Sequence, residues 1–288
     1  MGAPKTAEGR IVTGMRIGTW NLLHAMAITG QAPGQVSNEG LAQAALLECD
    51  ILAIQEVDSN QSRSNNSHQT QTIALATGLE HWCYAPALIG TPGESWNDAT
   101  DEHIHRHFDS EIDSTARYGN GLLSRFPMRD IDVVRFAPSR FSMPLLIPGN
   151  PRPRIMKIAD EPRVAIFATI ETPSGDIHVA TTHLSFVPGT NVRQLKETSR
   201  RLKERAGGSP AYLLGDFNLP GKIPARIVGM TSLAQLATYP TPNPKIQFDH
   251  ILAQGLSQKV ATEAFASARS LALDISDHRA LTVDIRDE

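Results

Sequence analysis

Asp216 and Asn218 close the stretch YLLGDFNLP, residues 212–220, in which an apolar run delivers two oxygen-bearing side chains two residues apart. Alternation along a strand sends both toward one side and Phe217 toward the other, and Gly215 lets the backbone turn tightly there. Such a pair suits phosphate chemistry on a metal, although a strand that merely ends in an Asp or Asn turn has the same local form. Recurrence separates the two. Asn21 follows Trp20 after MRIGT, Glu56 follows Gln55 after ILAI, His183 ends a TTH, Asp249 and His250 sit in FDHIL, and Asp277 and His278 sit in SDH.

The polar strand ends together supply Asn21, Glu56, His183, Asp216, Asn218, Asp249, Asp277 and His278. Carboxylates and amides dominate and cysteine is missing, so the set suits a hard cation, Mg²⁺ or Mn²⁺, better than zinc. A metal near Glu56 would polarise a phosphoryl oxygen. Asp277 beside His278 reads as a water-activating unit, since a carboxylate fixes an imidazole tautomer and raises its basicity. Adjacent residues on a strand face opposite ways, however, so that pairing needs a turn or a partner from elsewhere, and Asp249 or Asp277 could orient either histidine.

These groups need a scaffold that ends many strands along one edge. Apolar runs predict strands over residues 15–20, 51–55, 119–124, 131–136, 163–170, 177–183, 211–215, 248–253, 259–265 and 279–285. Helical spacing predicts helices over 38–49, 69–76 and 191–205, the last stopped by Gly207 and Gly208. Residues 58–68 read as a loop. The segment 94–113 holds seven acidic residues and three histidines against one arginine and reads as a surface excursion. There His103, His105 and His107 alternate, but a solvated loop is the better reading than a metal site without a fixed scaffold. His24, His68, His81 and His178 read as structural. Residues 137–162 are proline-rich and predict a long loop without regular structure. Strands interleaved with helices and at least one antiparallel hairpin point to an α/β or α+β protein with mixed sheets.

Length 288, 41% hydrophobic and 20% charged residues describe an ordinary globular chain. Residues 1–14 read as a loose lead-in and 15–288 as one catalytic domain. Gly2 and Thr6 match the loose myristoylation pattern, which is discounted. A net charge of −3 gives no global pull toward nucleic acid or anionic lipid. Local basic stretches exist at 193–205 and 135–163, and both read as solvated surface. Two cysteines, Cys49 and Cys83, make a disulfide framework implausible. No run approaches the roughly 18 apolar residues of a membrane span, and no signal core precedes the first strand, so the expectation is a cytoplasmic monomer.

The ordered series WN, QE, THL, GDFN, DH and SDH resembles the endonuclease/exonuclease/phosphatase superfamily over residues 15–285. The resemblance implies a four-layer αββα sandwich of two packed mixed β-sheets flanked by helices, with its site at one open edge. It implies Glu56 as the principal metal ligand, helped by Asn21 and Asp277. Asp216 and Asn218 would hold the attacking water and the phosphoryl group. His278 would be general base or phosphate contact, His183 phosphate contact or general acid, and Asp249 would orient one of the histidines. Arg117, Tyr118 and Asn120, in RYGNGLLSR, correspond to a stretch that can touch substrate, or else to an ordinary strand start. Asn191 and Arg193 would reach phosphate from a helix start, or simply cap it.

Leu22, Leu23 and His24 after WN depart from the apurinic-site endonucleases, which makes abasic-site repair the lesser expectation. What is implied is a Mg²⁺-dependent phosphoesterase that hydrolyses a phosphodiester, nucleic acid included. The alternatives are a phosphatase or phosphodiesterase acting on a small or lipid phosphate ester, and a non-catalytic binding module that keeps the fold.

Overall fold

The computed structural model describes residues 14–28, 34–107, 114–147 and 154–286. In chain order its strands are β1 (Gly14–Asn21), β2 (Ile51–Ser59), β3 (His81–Gly90), β4 (Trp96–Asp98), β5 (His105–Arg106), β6 (Arg117–Ser124), β7 (Met128–Phe136) and β8 (Met143–Ile147). They continue as β9 (Arg154–Ile158), β10 (Arg163–Thr172), β11 (Gly175–His183), β12 (Ala211–Asp216), β13 (Thr231–Ser232), β14 (Asp249–Gln254), β15 (Arg269–Leu271) and β16 (Ala280–Arg286). The α-helices are α1 (Asn38–Ala42), α2 (Gln69–Thr77), α3 (Thr190–Ala206), α4 (Ile223–Val228) and α5 (Gln258–Ser267). Among the described residues no helix is long and apolar enough to cross a membrane.

One sheet runs β15-β16-β1-β2-β6-β3-β4 with β5 on β3, and the other runs β13-β14-β12-β11-β10-β7. Each holds one parallel pair, β1 with β2 and β11 with β12. A parallel pair needs a crossover, which α1 and the following turn of 3-10 helix supply in the first case and α3 in the second. The last registered pairs are Asn21 with Gln55 and His183 with Asp216, so each pair ends on polar residues at its carboxyl end. β14 runs antiparallel to β12 and starts on Asp249, opposite Asp216.

Three buried clusters give the layers. Ile17, Ala53, Leu122, Ile166, Val179, Leu214, Ile251 and Val283 fill the space between the sheets. Leu41, Leu47 and Ile73 from the first helical layer pack on Trp20, Leu52 and Tyr84. Leu195 and Leu202 of α3 pack on Phe167, Ala180 and Leu213. The result is the αββα sandwich expected from the sequence. α3 shows why its segment is helical: Leu195, Thr198, Ser199, Leu202 and Ala206 are buried along one stripe, and Gly207 ends the helix at φ +55.

Several expectations change. Residues 259–265 are helical, inside α5, because Ser257 caps the turn by accepting from the Val260 N–H and Val260, Ala261 and Ala264 share one buried face. The proline-rich stretch contains the hairpin β8–β9, which pairs with neither large sheet. One proline, Pro144, lies within its paired register, opposite Lys157. The run 38–49 leaves the α-helix after Ala42 and tightens to a 3-10 helix through Leu47. β3 was not anticipated at all, since Pro86 interrupts its apolar run. The acidic excursion carries β4, a 3-10 turn at Asp101–His103 and β5. His105 is buried there rather than solvated, with Nδ1 3.1 Å from His68 Nε2 and Nε2 3.0 Å from Arg117 Nη1. Residues 1–13, with the myristoylation pattern, and 108–113 of the excursion lie outside the described residues.

Candidate active site

Glu56 reaches the site through an irregularity in β2. The register with β6 shifts between Ile54 and Val57, and Glu56 takes φ +57. A bulge re-aims a side chain, which frees Glu56 from the alternation that buries Gln55 between the sheets, hydrogen-bonded to Thr19 and Thr181. The half-buried Glu56 carboxylate accepts from Asn21 Nδ2 at 2.9 Å, and the same nitrogen donates to Asp216 Oδ2 at 3.0 Å. One amide from the end of β1 thus joins carboxylates from both sheets. Its own oxygen accepts from the Leu23 N–H, which fixes its orientation.

Asp216 and Asn218 do share a site, but a turn achieves this rather than strand alternation. β12 ends at Asp216, whose Oδ1 accepts from the Asn218 N–H at 2.9 Å, and Asn218 sits at φ +49. Phe217 is fully buried and stacks on His250 at 5.2 Å. That burial contributes about 1.5–3 kcal/mol and pins the turn. His250 also reaches Leu219 O at 2.8 Å, so it supports the loop from behind. Asn218 Nδ2 donates to Leu184 O at 2.9 Å and lies 3.1 Å from His183 Nε2. Gly215 is required by close approach: at φ +139, a Cβ there would lie 1.9 Å from Thr182 O.

The open question of which carboxylate serves which histidine is answered by distance. Asp249 Oδ2 lies 2.8 Å from His278 Nδ1, and His278 Nε2 lies 3.6 Å from Asp216 Oδ2. Asp277, adjacent in sequence, is not that partner. Ser276 makes the turn, at φ +72; its Oγ donates to Asn21 O at 2.5 Å and accepts from the His278 N–H at 3.0 Å. Trp20 Nε1 donates to His278 O at 3.2 Å, so the end of β1 holds the SDH turn twice.

Burial pushes the Asp216 carboxyl up to about 7, against the pull of His278 and with the push of Asp249. Burial also raises Asp277 to about 6, opposed by His278 and helped by Glu56. Burial alone would lower His278, but Asp249 and Asp216 outweigh it and raise it to about 10. His183 moves the other way, well below its ordinary value, through burial first and then the charges of Arg163 and His278. Carboxyl groups held this high, with Glu56 and Asp249 in the same space, describe a site short of positive charge. A hard divalent cation with oxygen ligands fits that deficit. Asp216, Asp249 and His278 each offer a ligand atom within 4.8 Å of the others. Asp249 Oδ2 and His278 Nδ1 are already joined at 2.8 Å, while Asp249 Oδ1 is buried without a hydrogen-bond partner.

The remaining candidates divide. Asn191, buried at the start of α3, donates to Asn218 O at 3.2 Å and so supports the loop. Arg193 is exposed in the first turn of α3. Arg117 is buried, with Nη1 3.0 Å from His105 Nε2. Asn120 donates to Val164 O at 2.9 Å and ties the two sheets together. Tyr118 is near the site: its ring lies 5.6 Å from the Arg63 guanidinium, and Glu56 and Glu161 help burial to raise its hydroxyl. Sequence reasoning missed Ser276, and it missed Arg163, whose Nη1 lies 3.1 Å from His183 Nδ1. It also missed Tyr239, whose ring lies 4.9 Å from that of His278. Arg163 opens a strand that was read correctly, but no strand-end motif marks it.

Residues 18–278 match the sequence model of the Endonuclease/Exonuclease/phosphatase family. None of the curated proteins matches this sequence. Among solved structures, an endonuclease/exonuclease/phosphatase from Beutenbergia cavernae DSM 12333 is similar at 19% identity and TM-score 0.57, covering 96% of this chain and 72% of that one. The human Nocturnin catalytic domain with bound sulfate anion is similar at 18% identity and TM-score 0.52, with 94% of each chain covered. The mannosyl-6-phosphatase of Bacteroides thetaiotaomicron VPI-5482 is similar at 16% identity and TM-score 0.51, covering 93% of this chain and 98% of that one. At these identities the likeness is one of fold.

Proposed function

Since the chain belongs to the endonuclease/exonuclease/phosphatase family, a family of phosphoester hydrolases, we propose that it cleaves a phosphodiester by in-line attack of water, with Mg²⁺ as its cation. The observation that carries this reading is one continuous group of contacts. Glu56, Asn21, Asp216 and Asn218 are linked by hydrogen bonds, His183 Nε2 lies 3.1 Å from Asn218 Nδ2, and His278 with Asp249 abuts them through Asp216.

Glu56 is the principal ligand in this reading, with Asn21 and Asp277 beside it, and Mn²⁺ would serve in place of Mg²⁺. The chemistry supplied by a bound cation is polarisation of a phosphoryl oxygen and charge relief on the leaving oxygen. Asp216 and Asn218 hold the water and the phosphoryl group. Asp249 holds His278 through Nδ1, which leaves Nε2 to take the proton of the water. Without a cation the raised His278 already carries that proton. Added positive charge among the same carboxylates disfavours the imidazolium and returns His278 to the basic form.

The reading treats residues 15–288 as one catalytic unit, a monomer, and places it in the cytoplasm on its two free, buried cysteines. The test is hydrolysis of a bis-aryl phosphate, plasmid DNA, RNA and phospholipid, each with Mg²⁺ and with EDTA, beside Asp216→Ala and His278→Ala. Expected is EDTA-sensitive cleavage of at least one diester that both variants abolish. Cleavage of none, or variants as active as the parent, would sink the reading. Nucleic acid as substrate further requires a rate that falls steeply with salt.

A further inference from the structure

His183 is buried between two hydrogen-bond donors. On one side the Arg163 guanidinium aims Nη1 at Nδ1 from 3.1 Å. On the other the Asn218 amide nitrogen stands 3.1 Å from Nε2. The orientation of Asn218 is not free to reverse, because the same nitrogen donates at 2.9 Å to Leu184 O, which can only accept. A neutral imidazole accepts at one nitrogen and donates at the other, and an imidazolium accepts at neither. The ring therefore cannot satisfy both neighbours, and the imidazolium would satisfy none.

Strength decides which neighbour is satisfied. A guanidinium is donor-only, and its bond to a buried acceptor is charge-assisted, about twice as strong as a neutral one. Asn218 already has Leu184 O as acceptor. The carboxylates that could receive a ring proton lie beyond hydrogen-bond reach, Glu56 Oε1 at 3.8 Å from Nδ1 and Asp216 Oδ2 at 3.6 Å from Nε2.

We propose that Arg163 is a positioning residue that fixes His183 as the neutral imidazole with its proton on Nε2, directed toward the side on which Asn218 and Asp216 lie. Arg163 is itself held: it is buried, its Nη2 lies 3.7 Å from Asp160 Oδ1, and its guanidinium lies over the Phe186 ring at 5.9 Å. Asp160 in turn accepts from the Ser139 N–H and the Ser185 hydroxyl at 2.7 and 2.8 Å. The consequence concerns the role of His183, and that part rests on the phosphoester reading. A neutral ring with Nε2–H cannot deliver a proton as an imidazolium acid does. It can donate a hydrogen bond, and Nε2–H and the second Asn218 N–H, having no acceptor in each other, would both donate to one phosphoryl oxygen.

The test begins with the full chain labelled with ¹⁵N-histidine, without substrate, and with the His183 signals assigned by their loss in His183→Gln. Long-range ¹H–¹⁵N correlation is expected to show His183 as the Nε2–H tautomer across neutral pH. An Nδ1–H tautomer or an imidazolium there overturns the proposal. The second arm compares Arg163→Met and the double variant Arg163→Met/Asp160→Asn, the latter so that no buried carboxylate is stranded. Expected in whichever folds is a mixed or reversed His183 tautomer and a fall in kcat of about 10- to 100-fold, the usual loss on removing an orienting partner. KM should change far less. A folded variant that keeps the Nε2–H tautomer, or keeps the parental kcat, overturns it. The tautomer is read without substrate, so a parent that hydrolyses nothing would remove the phosphoester reading and leave the assignment of Arg163 standing on the spectrum.

Discussion

Asp249 and His278 lie 29 residues apart in the chain and meet at 2.8 Å, carboxylate to Nδ1, with both side chains almost wholly removed from solvent. β14 brings one to the edge of its sheet and the Ser276 turn brings the other to the start of β16.

Replacing Asp249 by Asn keeps the shape of this contact and removes its charge. The His278 titration, followed by NMR in the protein without metal, is expected to fall from about 10 toward the ordinary imidazole value, because Asp249 is the largest influence raising it. Turnover should drop by about 100-fold or more, the usual scale for disabling an acid–base group. An unmoved titration would mean that Asp216 alone holds the proton on His278.

The stability that Asp216, Asp277 and His278 contribute in the absence of metal should decline as pH rises. Asp216 is raised from 3.8 to about 7, Asp277 from 3.8 to about 6 and His278 from 6.5 to about 10. A group whose pKa is raised on folding binds its proton more tightly when folded, so its contribution is complete below the unfolded pKa and lost through the folded one. The carboxyl contributions therefore disappear between about pH 4 and 7, and that of His278 later. The difference in Tm between the parent in EDTA and Asp216→Asn should change sign-consistently across the lower window, the parent losing ground as pH rises. A flat difference curve contradicts the raised Asp216.

Glu56→Gln removes a charge from the half-buried carboxylate to which Asn21 donates, and Asp277→Asn removes another. Isothermal titration with Mg²⁺ should show each variant binding at least about tenfold more weakly, a loss of about 1.4 kcal/mol. Parental affinity in both would move the cation site to the Asp216, Asp249 and His278 group.

Ser276→Ala deletes the hydroxyl that bridges Asn21 O and the His278 N–H. Leaving buried groups unpaired there should cost about 1–3 kcal/mol in urea unfolding. kcat should fall as well, since the same bridge sets where His278 stands. A variant with parental stability would show that the two Trp20 and Asp249 contacts suffice to hold the turn.

The sequence by itself marked which residues to expect at one site and placed them beside apolar runs. Asn21, Glu56, His183, Asp216, Asn218, Asp249 and His278 were legible because an apolar run followed by a polar group is a local pattern, written within a few residues. Their ordered series resembles the endonuclease/exonuclease/phosphatase superfamily, and it was that resemblance that implied a four-layer sandwich. Local pattern was also misread: residues 259–265 were expected as a strand, yet Val260, Ala261 and Ala264 recur at helical spacing behind the Ser257 cap and form part of α5. For Arg117 and Asn120 the sequence left substrate contact and an ordinary strand start open, and what each side chain meets, His105 and Val164 O, depends on residues far along the chain or on the other sheet.

Only the tertiary structure decided the pairings. Asn21 reaches Asp216 across 195 positions, and Arg163 reaches a histidine 20 positions away on the neighbouring strand. Such contacts are set by strand register, by the bulge that turns Glu56, and by the packing of one sheet on the other. Backbone hydrogen bonding and burial fix those features over the whole molecule, so no short segment of sequence contains them. That is why the sequence left open which carboxylate orients which histidine, while the fold sets Asp249 against His278 and Arg163 against His183.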